Sequence, residues 1–249
     1  MTDPAHRQLG HRVRFDWGPT GAAAVAEGAD LAVVVDVLSF TTTLCVALER
    51  GMTVLPFSWK DERAAEYAAT HGATLAVGRL EARRGGEGTV SLSPGSMQAA
   101  EGVDRVVLPS PNGSSICFGL AGGGATVVGA CLRNRAAVAD WLQQQGGTVA
   151  VVAAGERWPD GSLRPAVEDL WGAGSVLALL PDADLSPEAR QAAAAYRAVE
   201  ADLAAALAGC ASGVELADAG FREDVELAAE PDVTSVVPVL TEGEFSPAR

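Results

Sequence analysis

Histidine and lysine, on which many catalytic sites depend, are scarce in this sequence. It has three histidines and a single lysine, Lys60, among 249 residues. His6 and His11 lie in the N-terminal tail, and His71 stands at the end of a predicted helix. These positions disfavour histidine phosphatase, Ser-His-Asp hydrolase and His-rich zinc chemistry. Lys60 is not part of a GxxxxGK[ST] motif, and no GxGxxG follows the first strand, so P-loop and dinucleotide-binding sites are excluded.

Cysteine is scarce as well, and no two cysteines have CxxC spacing. Three of the four cysteines (Cys45, Cys117, Cys131 and Cys210) have apolar or Ala-rich surroundings, which favours buried thiols in a reducing compartment over disulfides. Cys45 lies in a predicted helix, and its spacing to Arg50 does not match the anion-binding loop of a cysteine phosphatase.

Positive charge is also in short supply, because the formal net charge is −14. This balance argues against nucleic acid or an anionic membrane as partner, but it permits a small anionic substrate held by a few arginines. No long uninterrupted apolar tract predicts a membrane span, and the N-terminus has no apolar signal core. We therefore expect a cytoplasmic protein. The sequence is compatible with a homo-oligomer and does not define one.

Apolar runs such as "LAVVVDVL", "RVVLPS" and "TVAVVAAG" alternate with helical patterns. We predict a three-layer α/β/α fold with a mostly parallel or mixed central sheet and a helical C-terminal part. The segment 234–243 is expected to be an edge strand, since Pro238 cannot donate a ladder hydrogen bond. Residues 81–98, rich in Gly and Ser, are expected to form a loop. No linker divides the chain, so we predict one domain over 1–249, with 1–11 as a candidate disordered tail.

Ligands of open α/β sheets bind at the carboxyl ends of strands, so the loops after strands are the places to examine. Asp36 ends the first apolar run, where a charge is costly unless it is paired or bound to metal. Thr41, Thr42 and Thr43 follow in the first turn of a predicted helix, where hydroxyls and free N–H groups suit an anion. An ordinary helix-capping aspartate remains an alternative explanation of Asp36.

Two later loops carry similar chemistry. The "PNGSS" segment, 111–115, is a turn into a helix and could form a second anion cradle, although a plain turn explains it equally well. The loop 153–169 contains Glu156, Arg157, Glu168 and Asp169. The last two stand at a helix start, where the helix dipole favours acids without any function. If they face Asp36, they suit a hard cation such as Mg²⁺, which prefers oxygen ligands.

The segments "VVVDVLSFTTTLCVALERG", "SPNGSS", "VVGACLRNRAAVA" and "AAGERWPDG…AVEDLWGAG" occur in this order. Together they resemble the 2-phosphosulfolactate phosphatases, the ComB family, over nearly the whole chain. The resemblance implies an α/β fold and Mg²⁺-dependent hydrolysis of 2-phospho-3-sulfolactate to 3-sulfolactate and phosphate, a step of coenzyme M biosynthesis in methanogens. Our leading hypothesis is a phosphoric monoester hydrolase with a small anionic phosphoester as substrate.

Under this hypothesis Asp36, Glu168 and Asp169 hold Mg²⁺. Asp36, Glu156 and Asp169 are the catalytic residues, with Glu156 positioning or deprotonating the attacking water. Whether water or a carboxylate attacks the phosphorus stays open; the haloacid-dehalogenase pattern fails because Leu38 stands where its second Asp is required. The expected substrate-binding residues are Ser39, Thr41, Thr42, Thr43, Asn112, Gly113, Ser114, Arg133 and Arg157.

The first loop departs from the family pattern D-x-[LM]-R-A-[ST], because Ser39 and Phe40 replace Arg-Ala. The missing arginine would be expected to hold phosphate or sulfonate. Its loss leaves two alternatives: a phosphatase of this fold for a non-sulfonated phospho-hydroxy acid, and a non-catalytic anion-binding protein. The family's acidic "GER"-like segment appears as "VGRLEARRGG", in which the candidates to compensate are Arg79, Arg83 and Arg84, with Glu81 near the position of the family's acid.

Overall fold

The computed structural model describes residues 3–58, 63–85 and 89–248. Lys60 and the glycine-rich residues 86–88 of the expected loop lie outside this part. The strands are β1 (Val13–Trp17), β2 (Leu31–Val35), β3 (Thr53–Ser58), β4 (Thr74–Leu75), β5 (Arg105–Ser110), β6 (Thr126–Ala130), β7 (Val149–Ala153), β8 (Glu156–Arg157), β9 (Leu163–Arg164), β10 (Pro238–Thr241) and β11 (Glu244–Pro247).

The described residues form one large mixed sheet with the strand order β1-β7-β2-β6-β10-β11-β3-β5-β4. β1, β7, β2 and β6 are parallel to one another, as are β3, β5 and β4. The β10–β11 hairpin joins these two halves and is antiparallel to its neighbour on either side. β8 and β9 form a separate small hairpin. The predicted mixed sheet is confirmed.

Helices cover the sheet on both faces. They are α1 (Gly18–Val25), α2 (Phe40–Glu49), α3 (Arg63–Thr70), α4 (Arg79–Gly85), α5 (Pro94–Ala99), α6 (Gly113–Leu120), α7 (Arg135–Gln145), α8 (Val167–Leu177), α9 (Pro187–Arg197), α10 (Leu203–Gly209), α11 (Ala211–Asp218) and α12 (Arg222–Ala228).

Strand β2 shows why the fold has three layers. Val33 and Val35 belong to the apolar cluster that contains residues of α7, α8 and α9. Ala32 and Val34, which point the other way, belong to the cluster that contains residues of α1, α2 and α6. Successive side chains of a strand point to opposite faces, so an unbroken apolar run is buried on both sides. The three-layer α/β/α prediction is therefore confirmed.

Two local predictions were wrong. β10 lies between β6 and β11 and is not an edge strand. Pro238 is tolerated because it is the first strand residue, and the pairing with β6 involves only Val239 and Leu240. Residues 81–98 are not one loop, since they include most of α4 and most of α5. The hydroxyl of Ser93 accepts the N–H of Ser96 and Pro94 is the first residue of α5, so a local cap starts this short helix.

The N-terminal segment also has structure that the sequence did not reveal. Pro4–Arg7 form a 3₁₀ turn, and the side chain of Gln8 bonds both the N–H and the carbonyl of Phe15 in β1. The described part of the expected tail is thus attached to the edge of the sheet. No helix in the described part of the chain is long and apolar enough to cross a membrane.

Candidate active site

Asp36 joins two loops that follow different strands. It comes directly after β2, and its carboxylate is buried. Oδ1 accepts the N–H of Phe40 at 3.1 Å. Oδ2 accepts the N–H of Gly113 at 2.8 Å and the hydroxyl of Ser110 at 3.3 Å, both from the loop after β5. Burial raises the pKa of Asp36 and the charge of Glu168 raises it further, whereas these hydrogen bonds lower it. These hydrogen bonds therefore hold the Asp36 carboxylate in one orientation, where the loop after β2 meets the loop after β5.

The three threonines after Asp36 hold the loop together. Thr41 Oγ1 accepts the N–H of Asp36 at 2.9 Å and donates to its carbonyl at 2.8 Å. Thr42 Oγ1 donates to the carbonyl of Val37 at 2.7 Å. Thr43 Oγ1 is buried with no hydrogen-bond partner among the described residues. Thr41 and Thr42 thus use their hydroxyls to hold the β2–α2 loop together. The expected role of the three threonines as phosphate ligands stays a prediction.

An arginine does reach the position where the family pattern has one. Arg79, the first residue of α4, donates through Nη2 to the hydroxyl of Ser39 and through Nε to Asp224 Oδ2 at 2.7 Å. The expectation that Arg79 compensates for Ser39 agrees with this contact. Arg83 instead donates to the carbonyl of Gly220. A guanidinium therefore stands beside Ser39, supplied by another element.

The loop after β5 supplies the opposite wall. Asn112 Nδ2 donates to Glu156 Oε2 at 2.8 Å, and the N–H of Asn112 bonds Ser110 Oγ. The hydroxyl of Ser114 bonds the N–H and the carbonyl of Phe57 and the carbonyl of Leu108, so it supports β3 and β5. Its expected contact with the substrate stays a prediction. Ser110, which sequence reasoning missed, takes the polar role; the only signal for it was its position at the end of a buried strand.

Gly113 permits the close approach of the two loops. A Cβ at this position would lie 2.7 Å from both Asp36 Oδ2 and Phe40 Cδ1. We expect Gly113→Ala to lower the free energy of unfolding by about 1–3 kcal/mol, as overpacking does. Because Asp36 has to move, we also expect kcat/KM to fall by about 10²-fold.

Gly119→Ala in the same helix is the matched control, since apart from the backbone of its own helix and its chain neighbours no described atom lies within 4 Å of where its Cβ would be. It should raise stability by roughly 0.5–1 kcal/mol, as Ala does over Gly in a helix, without changing activity. Urea unfolding and phosphate release measure both variants. Equal activity of Gly113→Ala and wild type would contradict the close contact.

Glu156 is a partly buried acid of the site whose pKa is strongly raised. Burial raises the pKa of Glu156 to about 7, with the charge of Asp36 adding to the effect and the hydrogen bond from Asn112 opposing it. Glu156 and Asn112 separate two cavities. The larger, of about 790 Å³, contains Asp36, Ser39, Arg79 and Ser110 in its wall, and we call it the cleft. The smaller, of about 240 Å³, is lined by residues that include Trp17, Thr20 and Arg157.

The two acids at the start of α8 differ in their contacts. Asp169 accepts the N–H of Val37 at 2.7 Å and that of Gly155 at 2.8 Å, one on each oxygen. Asp169 therefore connects the loop after β2 to the loop after β7. Burial raises the pKa of Asp169 well above its usual range, and the negative charges of Asp36 and then Glu168 raise it further. Glu168 is also buried, but its Oε1 has no hydrogen-bond partner in the described part.

The expected three-ligand metal set does not form. Within residues 3–58, 63–85 and 89–248, no group of three or more His, Cys, Asp or Glu side chains is placed to hold a metal ion together. In this arrangement each oxygen of Asp169 accepts a backbone N–H. Asp36 and the unpartnered oxygen of Glu168, whose charge acts on Asp36, still have the chemistry that suits Mg²⁺, which usually takes one or two carboxylates and keeps several waters.

The two expected arginines lie apart from Asp36. Arg133 follows β6 and bonds Glu230, the carbonyl of Leu227 and Glu49, which is 3.3 Å away. Arg133 does not line the cleft, and its expected role in substrate binding stays a prediction. Arg157 bonds the backbone carbonyls of Gly161 at 3.3 Å and Pro111 at 3.5 Å, and it lines the smaller cavity.

Comparison with known proteins identifies relatives over most of the chain. A family model described as 2-phosphosulpholactate phosphatase matches residues 22–243. The 2-phosphosulfolactate phosphatase of Methanothermobacter thermautotrophicus is 32% identical over 223 residues, 88% of this chain and 90% of the relative. The probable 2-phosphosulfolactate phosphatase of Deinococcus radiodurans is 31% identical over 232 residues, 88% of this chain and 91% of the relative.

Proposed function

The chain belongs to the 2-phosphosulfolactate phosphatase family, and from this membership and the chemistry of the cleft we propose that it hydrolyses 2-phospho-3-sulfolactate to 3-sulfolactate and phosphate. The observation that carries the proposal is the buried carboxylate of Asp36 in one cleft with the guanidinium of Arg79 and the carboxyl of Glu156. A phosphomonoester with a second anionic group needs such a cation, and its hydrolysis needs a group that orients or deprotonates water.

We propose Mg²⁺ as the cofactor, held by Asp36 and Glu168 together with water and substrate oxygens. Two observations support this choice: the buried oxygen of Glu168 has no partner in the described part, and the charge of Glu168 raises the pKa of the buried Asp36 carboxyl. When bound, Mg²⁺ would supply positive charge for the transferring phosphoryl group. Asp169 is proposed only to position the two loops.

The remaining groups have distinct proposed roles. Arg79 and Ser39 bind an anionic oxygen of the substrate, and Ser110 holds Asp36 in place. Glu156 accepts a proton from the attacking water, and Asn112 orients Glu156 through the hydrogen bond to Oε2. A general base is most effective when its pKa lies near the working pH, which a value of about 7 satisfies.

Phosphate release from a substrate panel tests the function. We expect kcat/KM for 2-phosphosulfolactate to exceed that for phosphoglycolate and phospholactate at least tenfold, because Arg79 keeps a guanidinium next to Ser39. Equal activity on all three esters would favour a phosphatase for a non-sulfonated acid. If none of the esters released phosphate in the presence of Mg²⁺, the proposal that the protein is a phosphatase would be wrong.

Magnesium is expected to stabilise the fold in a pH-dependent way. Acids must be ionised to bind a cation, and Asp36 has a raised pKa, so the rise in Tm with MgCl₂ should be larger at pH 8 than at pH 6. At about 100 times Kd the rise should be roughly 5–10 °C. NaCl of equal ionic strength is the control in differential scanning fluorimetry. The same rise in an Asp36→Asn, Glu168→Gln double variant would contradict this site.

A further inference from the structure

Asp224 is a buried acid outside the loops that build the cleft. It lies on α12 in the helical C-terminal part and is only 2% exposed. Its Oδ2 accepts Arg79 Nε at 2.7 Å. Its Oδ1 accepts the hydroxyl of Ser93 at 2.6 Å and the N–H of Gly95 at 3.2 Å. Because both oxygens have partners on different elements, the carboxylate has one orientation.

The partner of Asp224 is the guanidinium that lines the cleft. Arg79 is held on three sides: Asp224 accepts from Nε, Ser39 accepts from Nη2, and the ring of Phe221 lies 5.6 Å from Cζ. A guanidinium has five N–H donors, of which these contacts use two. Nη1 bonds no residue within the described ranges, so three donors remain for a ligand.

An ion pair that only stabilised the fold would not need an arginine that lines the cleft and keeps unbonded N–H groups. Arg79 forms part of the cleft wall together with Asp36, Ser110 and Asn112. A long, flexible side chain binds an anion more tightly when its conformation is set beforehand, because less freedom is lost on binding. Asp224 accepts from Nε, and the N–H groups of Nη1 have no partner among the described residues. Arginine can use these groups for the two parallel hydrogen bonds that it makes to an oxyanion.

We propose that Asp224 is a positioning residue that holds Arg79 so that its free N–H groups bind an anionic oxygen of the substrate. α12 thereby contributes to substrate affinity although it supplies no residue to the cleft wall. The identity of the substrate rests on the proposed function; the anion site itself rests on the contacts of Arg79.

Steady-state kinetics of four proteins tests the proposal: wild type, Asp224→Asn, Arg79→Ala and the double variant. Asp224→Asn should raise KM for 2-phosphosulfolactate about tenfold, the loss expected for one charge-assisted hydrogen bond, with kcat changed less than about threefold. In the Arg79→Ala background, Asp224→Asn should change KM no further. Additive effects of the two substitutions would overturn the proposal, since a structural role of Asp224 does not depend on Arg79.

Glu223→Gln is the matched control, because it removes a neighbouring acid of α12 that has no hydrogen bond to Arg79. It should leave both constants unchanged. If Asp224→Asn does not fold, Ser93→Ala, which removes one of the bonds that fix the carboxylate, should raise KM about threefold. An unchanged KM in folded Ser93→Ala would count against the proposal.

Binding of inorganic phosphate separates this inference from the proposed function. Isothermal titration calorimetry should give about tenfold weaker phosphate binding for Asp224→Asn and for Arg79→Ala than for wild type. This result would support the positioning role even if no ester were hydrolysed. Equal phosphate affinity of wild type and Asp224→Asn would reject it even if wild type is an active phosphatase.

Discussion

Replacing Asp36 with asparagine is expected to lower kcat/KM for 2-phosphosulfolactate by about 10³-fold or more. The substitution removes the negative charge proposed to bind Mg²⁺. In the wild type, the N–H groups of Phe40 and Gly113 each donate to one carboxylate oxygen of Asp36. The asparagine NH₂ group is a donor, so it would face one of these two N–H groups without an acceptor. Phosphate release with saturating MgCl₂ measures the loss, and circular dichroism verifies that the variant is folded.

Asp30→Asn provides the matched control at the other end of β2. Asp30 accepts the N–H of Thr148 at 2.7 Å and its hydroxyl at 2.9 Å, and it has no contact with the cleft. The control should keep kcat/KM within about twofold of wild type. If Asp36→Asn keeps more than a tenth of the wild-type activity, Asp36 is not the central acid of the site.

Replacing Glu156 with glutamine is expected to lower kcat by about 10²–10⁴-fold, the usual contribution of a general base. Glutamine preserves the shape and can still accept the hydrogen bond from Asn112, so the loss isolates the proton-accepting function. A base works only in its ionised form. Since the pKa of Glu156 lies at about 7, wild-type kcat/KM should be low at pH 5.5, rise through neutrality and level off above pH 8.

The pH profile offers two further tests of Glu156. The rise should disappear in Glu156→Gln. In Asn112→Ala its midpoint should move to higher pH, because the Asn112 hydrogen bond lowers the pKa of Glu156. Initial rates from pH 5 to 9 measure these profiles. A wild-type rate that falls above pH 7 would instead assign Glu156 the role of a general acid.

The layered fold could be predicted because apolar periodicity reports burial directly. β2 is buried on both faces, and its unbroken "LAVVV" predicted that arrangement. Short elements were less visible. α4 and α5 are too short for a periodic pattern, and β10 looked like an edge strand because the sequence does not show which residues of a strand donate to a neighbour.

The site was predictable only in part. Asp36 was found because an acid that ends a buried run needs a partner, and that partner requirement is visible in the sequence. Thr41, Ser114 and Asp169 were assigned to ligands because their chemistry fits phosphate or metal. In the structure backbone groups take their oxygen atoms, and that competition depends on distances that no spacing reveals.

The sequence by itself determined the chemical inventory: a site without histidine, lysine or cysteine chemistry must rely on carboxylates, hydroxyls, amides and arginines. Tertiary structure decided which of them meet. Ser39, Arg79 and Asp224 come from three distant segments and form one connected group. The physical reason is that hydrogen bonds and charge pairs act over a few ångströms in space, and folding alone brings such segments within that range.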